Sequence, residues 1–361
     1  MTYMGIPPGE REFELALIGP GYGESIVLHL GAGQWIIVDS CTDVDGQPRA
    51  LSFLRDMGVD PGRAVALILA THWHDDHIQG IARIVEECPS AQFCCAAALC
   101  RKEFVALVGA LQGKHLSAPG SGLRELYGVF SLLTEKGQTP THALANRVVF
   151  RHESCAVSAL SPSDEVYQRF LVNIGEVIPG LGERKARIPS LSPNEASVAL
   201  WIDAGEFSLL LGADLERRGW KSILKDEARP AGKASVFKIP HHGSRNAHEP
   251  GVWNQLLEER PMAVLAPWRL GGSSLPTRAD AERILSHSGE AWITNADPKG
   301  RSSPRRSHRA VERTMRESPV RTRTLDSDPS MIRLRRGLAP GAAWSVELSG
   351  KASSLENYRV Q

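Results

Sequence analysis

The chain has 361 residues, room for one large domain or two ordinary ones, and a core of that size needs no disulfide or structural metal. Apolar residues make up 42% and charged residues 23%, and 42 Lys and Arg against 41 Asp and Glu leave a formal charge of +1, so no global field drives binding to nucleic acid or to an anionic membrane. No run reaches the roughly 18–20 apolar residues of a membrane span, and residues 1–11 lack the charged-then-apolar layout of a signal peptide, so we expect a cytoplasmic protein with no membrane span.

The first 75 residues read as strands with one helix. Phe13–Ile18, Ser25–Leu30 and Trp35–Val38 are short apolar runs separated by the glycine-rich Gly19–Gly23 and Gly31–Gly33, and Asp39 closes the third. Pro48–Met57 reads as a helix. Val65–Ala70 (VALILA) is a continuous apolar run with β-branched members, as expected of a strand buried on both faces. Beyond the loop Thr71–His77, the segment Ile78–Glu87 has apolar residues at 78, 81, 84 and 85, a helical stripe.

The middle of the chain, from about Gln92 to Ser190, is less regular. Ala97–Leu111 reads as a helix, Val148–Phe150 and Ala156–Leu160 as strands, and Val177–Ser190 as a loop rich in Gly, Pro and charge. Ser197–Asp203 and Phe207–Leu211 flank Ala204-Gly205-Glu206 as a hairpin. Gly212-Ala213-Asp214 follows, then a helix, then Ser235–Ile239 ending in Pro240-His241-His242-Gly243-Ser244. A last unit takes Ala263–Ala266, Ala279–His287 and Ala291–Ile293. Strands alternating with helices in two similar halves predict a layered α/β fold. Arg301–Arg323 then holds eight Arg against Glu312 and Glu317, and Met331–Arg335 and Trp344–Leu348 read as a final strand pair. We place a boundary near residue 300, with 301–361 an Arg-rich C-terminal extension.

Chemistry concentrates in four places. His72, His74, Asp76 and His77 fall within six positions directly after a buried strand. The spacing i, i+2, i+4, i+5 suits a tight loop folded around metal, and imidazole nitrogen with carboxylate oxygen suits zinc, manganese or iron. An exposed polar turn does not account for three of twelve histidines clustering there. Asp75 is not needed by this geometry, and Trp73 reads as a packing residue. Asp214 stands at the end of Phe207–Leu211, and His241 and His242 at the end of Val236–Ile239, where ligands of open α/β sheets gather. Asp39 reads either as a helix N-cap or as a partner that holds a metal-bound imidazole. The six cysteines (41, 88, 94, 95, 100, 155) form no CxxC pair and read as reduced, mostly buried thiols.

His72–His77 resembles the HxHxDH signature of the metallo-β-lactamase superfamily, and Asp39, Asp214 and His241/His242 fall where that superfamily keeps its first, fourth and fifth motifs. Gly21–Leu30 (GYGESIVLHL), Asn194–Asp214 (NEASVALWIDAGEFSLLLGAD) and Phe237–Ser244 (FKIPHHGS) are further similar to the hydrolase domain of bacterial competence DNA-internalisation proteins, and Ala263–Thr294 fits that domain too. The resemblance covers residues 12–300. It implies a four-layer αββα sandwich over residues 1–300 and two divalent ions, Zn²⁺ or Mn²⁺. In the implied assignment His72 and His74 hold one ion, Asp76, His77 and His241 or His242 hold the other, and Asp214 bridges.

The implied reaction is hydrolysis by a metal-activated hydroxide, most readily of a phosphodiester, which makes the chain a nuclease with DNA as substrate. Asp76 would orient the hydroxide, Ser244 would hold a phosphate oxygen, and Lys238 would supply charge if it faces the site. The Arg-rich stretch points the same way, since arginine favours phosphate contacts. The alternatives are a hydrolase of a small ester, lactone, thioester or phosphoester, and a metal-binding partner subunit with decayed activity. One departure stands out. Where the superfamily places its third-motif histidine this chain has Asn194, with His115, His142 or His152 as distant substitutes.

Overall fold

Short apolar runs broken by glycine become the strands of two sheets in the computed structural model, which describes residues 5–100, 104, 121–153, 155–177, 193–270, 272–297 and 330–358. The first half of the chain gives β1 (Glu12–Ile18), β2 (Ser25–His29), β3 (Trp35–Val38), β4 (Val65–Ala70), β5 (Gln92–Ala96) and β6 (Thr141–Ala143). The second gives β7 (Arg147–His152), β8 (Cys155–Ala159), β9 (Leu200–Asp203), β10 (Ser208–Leu211), β11 (Ala234–Lys238) and β12 (Leu257–Leu265). A small hairpin, β13 (Trp268–Leu270) and β14 (Ser273–Leu275), precedes β15 (Glu290–Ile293), β16 (Met331–Gly337), β17 (Ser345–Ser349) and β18 (Ser353–Ser354).

One sheet has the order β17-β16-β1-β2-β3-β4-β5-β6 and the other β18-β15-β12-β11-β10-β9-β8-β7. Alternate residues of a strand face opposite sides, and the cores follow that rule. Leu200, Ile202, Leu209, Leu211 and Val236 join the first sheet's residues in the central core, whereas Trp201, Leu210 and Phe237 point outward. There they meet Trp220 and Ile223 of the helix Arg217–Lys225, Trp253 of Pro250–Gln255 and Ile284 of Arg278–His287. On the far side, Leu51 and Leu54 of the helix Arg49–Asp56, Ile84 of Ile81–Glu87 and Leu126 and Val129 of Ser121–Glu135 cover the first sheet. The layers run helix, sheet, sheet, helix, the αββα sandwich. Burying each Leu, Ile or Phe here contributes about 1.5–3 kcal/mol, so the two faces of the sandwich outweigh any single surface interaction.

Three sequence expectations are adjusted. Ile78–Glu87 is split into a turn, Asp75–Ile78, and a helix, Ile81–Glu87, because Gly80 takes a left-handed φ of 81° between them. Ala97–Cys100 is a 3₁₀ turn, and the rest of the helix expected to Leu111 lies, apart from Phe104, outside the described residues, as do Arg301–Arg323 and nearly all of Val177–Ser190. The expected C-terminal strand pair is present, but it belongs to the sandwich. β16 pairs antiparallel with β1 along its whole length, from Glu12↔Gly337 to Ile18↔Met331, and β18 extends the second sheet beside β15. Buried Arg333 donates to Glu14 across that pairing at 2.9 Å. A boundary at residue 300 therefore does not mark the edge of the two sheets.

Candidate metal centre

Parallel strands aim their C-terminal ends at one edge of a sheet, and this chain uses four such ends. β3 pairs parallel with β4, and β10 with β11. The first pair ends in Asp39 and in the loop His72–His77; the second ends in Asp214 and in His241-His242. β2 runs antiparallel to β3, so the residue before it, Glu24, arrives at the same edge. The loops come close enough that a Cβ on Gly212 would lie 2.9 Å from Pro240 Cβ and 3.0 Å from the Lys238 carbonyl oxygen. Asp39, Ala213, His241 and His242 all have left-handed φ, between 44° and 60°. Such strain in non-glycine residues persists where surrounding structure enforces it, and it concentrates at functional sites.

Asp39 organises the floor. Its Oδ1 accepts the Thr71 backbone N–H and its Oδ2 accepts the Thr71 hydroxyl, both at 2.7 Å. Thr71 Oγ1, its proton given to Asp39, accepts from His72 Nδ1 at 3.0 Å, which leaves His72 Nε2 free to act as a ligand. Asp39 Oδ2 also accepts from His77 Nδ1 at 2.7 Å, and the Ala266 carbonyl accepts from His242 Nδ1 at 3.1 Å. Each of these imidazoles thus turns its Nε2 inward, the tautomer that metal-binding histidines take when a partner holds the other nitrogen.

The inward-facing atoms cluster round Asp214. His72 Nε2 lies 3.1 Å from His74 Nδ1 and 3.9 Å from Asp214 Oδ2. His77 Nε2 lies 3.2 Å from Asp214 Oδ1, and His242 Nε2 lies 3.2 Å from Asp76 Oδ2 and 3.8 Å from Asp214 Oδ2. His72, His74 and Asp214 form one compact donor group; a second joins Glu24, His77 and His242. His77 Nε2 and Asp214 Oδ1 are buried and neither has a hydrogen-bond partner, although they face each other. With Asp39 taking the Nδ1 proton of His77, two lone pairs would oppose each other there unless a proton or a cation intervenes. The donor set fits divalent metal: His72 and His74 could hold one ion, Asp76, His77 and His242 a second, and Asp214 both.

The electrostatics agree. Burial pushes the His77 imidazole toward neutrality, but the carboxylates of Asp214 and Glu24 outweigh it and raise its pKa well above the ordinary value. His242 shifts the same way, with Asp214 the main opponent of burial. His72, fully buried and beside His77, is pushed well below the usual range. Burial opposes the charges of Asp76 and Asp214, yet the surrounding histidines hold both carboxyls below the usual carboxylate range.

A cavity of about 500 Å³ opens over this cluster. His74, Asp75, Asp76, Asp214, His241 and His242 lie at its base, and Tyr22, Trp73, Leu123, Trp268 and Leu275 form its walls. The seven expected ligands are therefore together. Lys238 and Ser244 are not where a substrate contact requires them. Lys238 is fully buried beneath the site, its ammonium held by Glu24 in a short ion pair and 3.5 Å from the Ala213 carbonyl oxygen. Strand alternation put its side chain inside the sandwich. Ser244 lines a separate crevice beside Trp220 and Trp253, because the left-handed turn at His241-His242 rotates it away. Asn194 joins neither donor group; its Nδ2 donates to Glu216 Oε1 at 3.3 Å. His142 on β6 and His152 on β7 are outside both groups, and His115 lies outside the described residues. Trp73 packs against Phe104 and Phe170 as expected, and also lines the cavity.

Glu24, Thr71, Glu216, Tyr22 and Trp268 were not singled out by sequence. For Glu24 a signal existed: a carboxylate at the start of a strand whose centre, Ile26–Leu28, is wholly apolar has no cheap place to go unless a buried cation receives it.

The model of the metallo-beta-lactamase superfamily matches residues 18–147. The sandwich, the histidine loop and that match together give this chain the metallo-β-lactamase fold. It is 38% identical over 56 residues, 16% of its length, to ComE operon protein 3 of Bacillus subtilis, and the matched stretch spans 7% of that protein. Among solved structures it is similar to Zn(2+)-bound PqqB from Methylobacterium extorquens (13% identity, 70% of this chain and 88% of that one, TM-score 0.40). It is also similar to the metallo-beta-lactamase fold protein YhfI from Bacillus subtilis (9%, 78% and 95%, 0.37). Among the described residues, no helix is long and apolar enough to cross a membrane.

Proposed function

We propose that this protein is a metal-dependent phosphodiesterase that cleaves DNA. The observation that carries the reading is the carboxylate of Asp214, which belongs to one donor group with His72 and His74 and faces His77 of the other at 3.2 Å, at the base of one cavity. Divalent ions held there would lower the pKa of a water toward 7 and stabilise both the attacking and the leaving oxygens of an in-line displacement. The chain's own residues do the rest. Asp76, ionised and lining the cavity, orients the attacking water. Tyr22, whose phenol burial pushes up to about 12 with Asp76 and Asp75 adding to the effect, stays protonated and donates to a phosphate oxygen. Tyr22 and Trp268, which line the cavity, are placed to stack on unpaired bases, and such stacking contributes about 1–3 kcal/mol per base. The likeness to ComE operon protein 3 supports the resemblance to DNA-internalisation hydrolases, and the arginines of 301–323 supply a local charge for the backbone.

A hydrolase of small esters, lactones or thioesters is the second reading, favoured by Leu123 and Leu275, which would also accept an apolar acyl group. Protein loaded with Mn²⁺ or Zn²⁺ and incubated with plasmid, single-stranded DNA, RNA and bis-p-nitrophenyl phosphate separates the two. Cleavage of DNA and of the small diester is expected. Turnover of a thioester, lactone or lactam with every phosphodiester intact would reject the first reading.

A further inference from the structure

Asp214 is shared, so each ion's own ligands decide how firmly it is held. On the two-ion reading the second ion would have three of its own, His77, His242 and Asp76, whose Oδ2 lies 3.2 Å from His242 Nε2, whereas the first would have only His72 and His74. A catalytic zinc ordinarily keeps three protein ligands of its own beside its water. One imidazole beside Asp214 is still unassigned. His241 Nε2 lies 3.9 Å from Asp214 Oδ2, the distance at which His72 Nε2 approaches the same oxygen. His242 Nε2 approaches it at 3.8 Å. Two consecutive residues can converge on one atom in this way because both take left-handed φ, 48° and 53°, which sets their rings 64° apart.

The other nitrogen of His241 carries the second part of the inference. Nδ1 is buried, has no hydrogen-bond partner, and lies 3.6 Å from Glu216 Oε1. That carboxylate oxygen is itself anchored, accepting from Asn194 Nδ2 at 3.3 Å and from Asn246 Nδ2 at 3.0 Å. Metal-bound histidines ordinarily give their second N–H to such a held carboxylate.

We propose that the paired histidines divide between the two ions: His241 completes the His72–His74 ion, His242 belongs to the Asp76–His77 ion, and Glu216 is the positioning residue for His241. Asn194 then acts through Glu216, two steps from the metal. The inference rests on the two-ion reading of the centre and is independent of which substrate is cleaved.

The test is a metal titration of the full chain with Co²⁺, read by bound equivalents after dialysis and by the visible absorption of the ion. Wild type binds two equivalents. His241→Ala weakens one ion at least 100-fold and leaves the other at wild-type affinity, which also shows that the variant is folded. His74→Ala combined with His241→Ala still binds one equivalent, since both changes strike the same ion. His77→Ala combined with His241→Ala binds none tightly. Glu216→Gln weakens the first ion by about 10–100-fold, the usual cost of losing such a partner, and Glu216→Asp restores part of it. Should His241→Ala not fold, His241→Asn is measured in its place. The proposal is overturned by a wild type that binds fewer than two equivalents, by His241→Ala holding both ions normally, or by the His77–His241 double variant retaining one tight ion. Loss of this pattern in a protein that still cleaves DNA removes the ligand assignment alone; the pattern without DNA cleavage removes the substrate reading alone.

Discussion

Asp39 Oδ2 accepts a 2.7 Å hydrogen bond from His77 Nδ1 while the same carboxylate fixes Thr71 and, through it, His72. One side chain therefore sets the tautomers of two imidazoles that belong to different donor groups. Asp39→Asn is expected to weaken both ions by about 10–100-fold, the range found when a carboxylate behind a ligating histidine is lost. Competition against a chelator measures it. An unchanged affinity for both ions would show that Asp39 serves only its turn.

Glu24 and Lys238 form an ion pair with both side chains almost wholly out of water. Breaking a buried pair costs about 3–5 kcal/mol because the survivor is left uncompensated, whereas replacing both partners costs far less. Lys238→Met alone is expected to lose stability in that range in urea unfolding, and Glu24→Gln with Lys238→Met to recover most of it. A single variant within 1 kcal/mol of wild type would mean that water or another group already compensates Glu24.

How much of this was legible in the sequence follows from what periodicity encodes. β4 reads directly as VALILA because a strand covered on both faces leaves no polar position, and the histidine loop is conspicuous because it follows such a strand. Asp214 and His241-His242 were legible by the same logic, as polar residues at apolar strand ends. Lys238 was misplaced because its partner Glu24 lies more than 200 positions away, and no local pattern says which side of a strand a lone lysine must face. Ser244 was misplaced because two consecutive left-handed histidines are a tertiary outcome. The pairing of β16 with β1 spans the whole chain, so only the closed sheet reveals that the last strands belong to the sandwich.

Replacing Arg305, Arg306, Arg309 and Arg313 with Gln should weaken single-stranded DNA binding and flatten its dependence on salt, each lost phosphate contact removing about 0.7 from the log–log slope. Hydrolysis of bis-p-nitrophenyl phosphate should be unchanged, because that substrate spans only the metal floor. Equal loss of both would show these arginines to be part of the folded body.

Cys95 and Cys100 have their sulfurs 3.2 Å apart. The hydrogen bond from Cys95 outweighs burial and, with His142 assisting, brings the Cys100 thiol down to about 6. Cys100 is thus a thiolate above pH 6, while Cys41 and Cys88, pushed up to about 12 by burial, remain thiols. Iodoacetamide should label Cys100 at a rate that rises through pH 6 and levels off above pH 7, and Cys95→Ala should move that rise toward 8.5, where a free cysteine titrates. Peptide mapping by mass spectrometry reads both. A labelling profile centred on 8.5 in the unaltered protein would remove the Cys95 contact from the account.

The central claim is that Asp214 joins two cations on the floor of the cavity. Crystals grown or soaked with Mn²⁺ and measured at the manganese edge test it most directly. The account predicts two anomalous peaks flanking the Asp214 carboxylate, one beside His72 and His74 and one beside Asp76, His77 and His242, both lost in Asp214→Ala. A single peak away from Asp214, or two peaks that survive its removal, would contradict it.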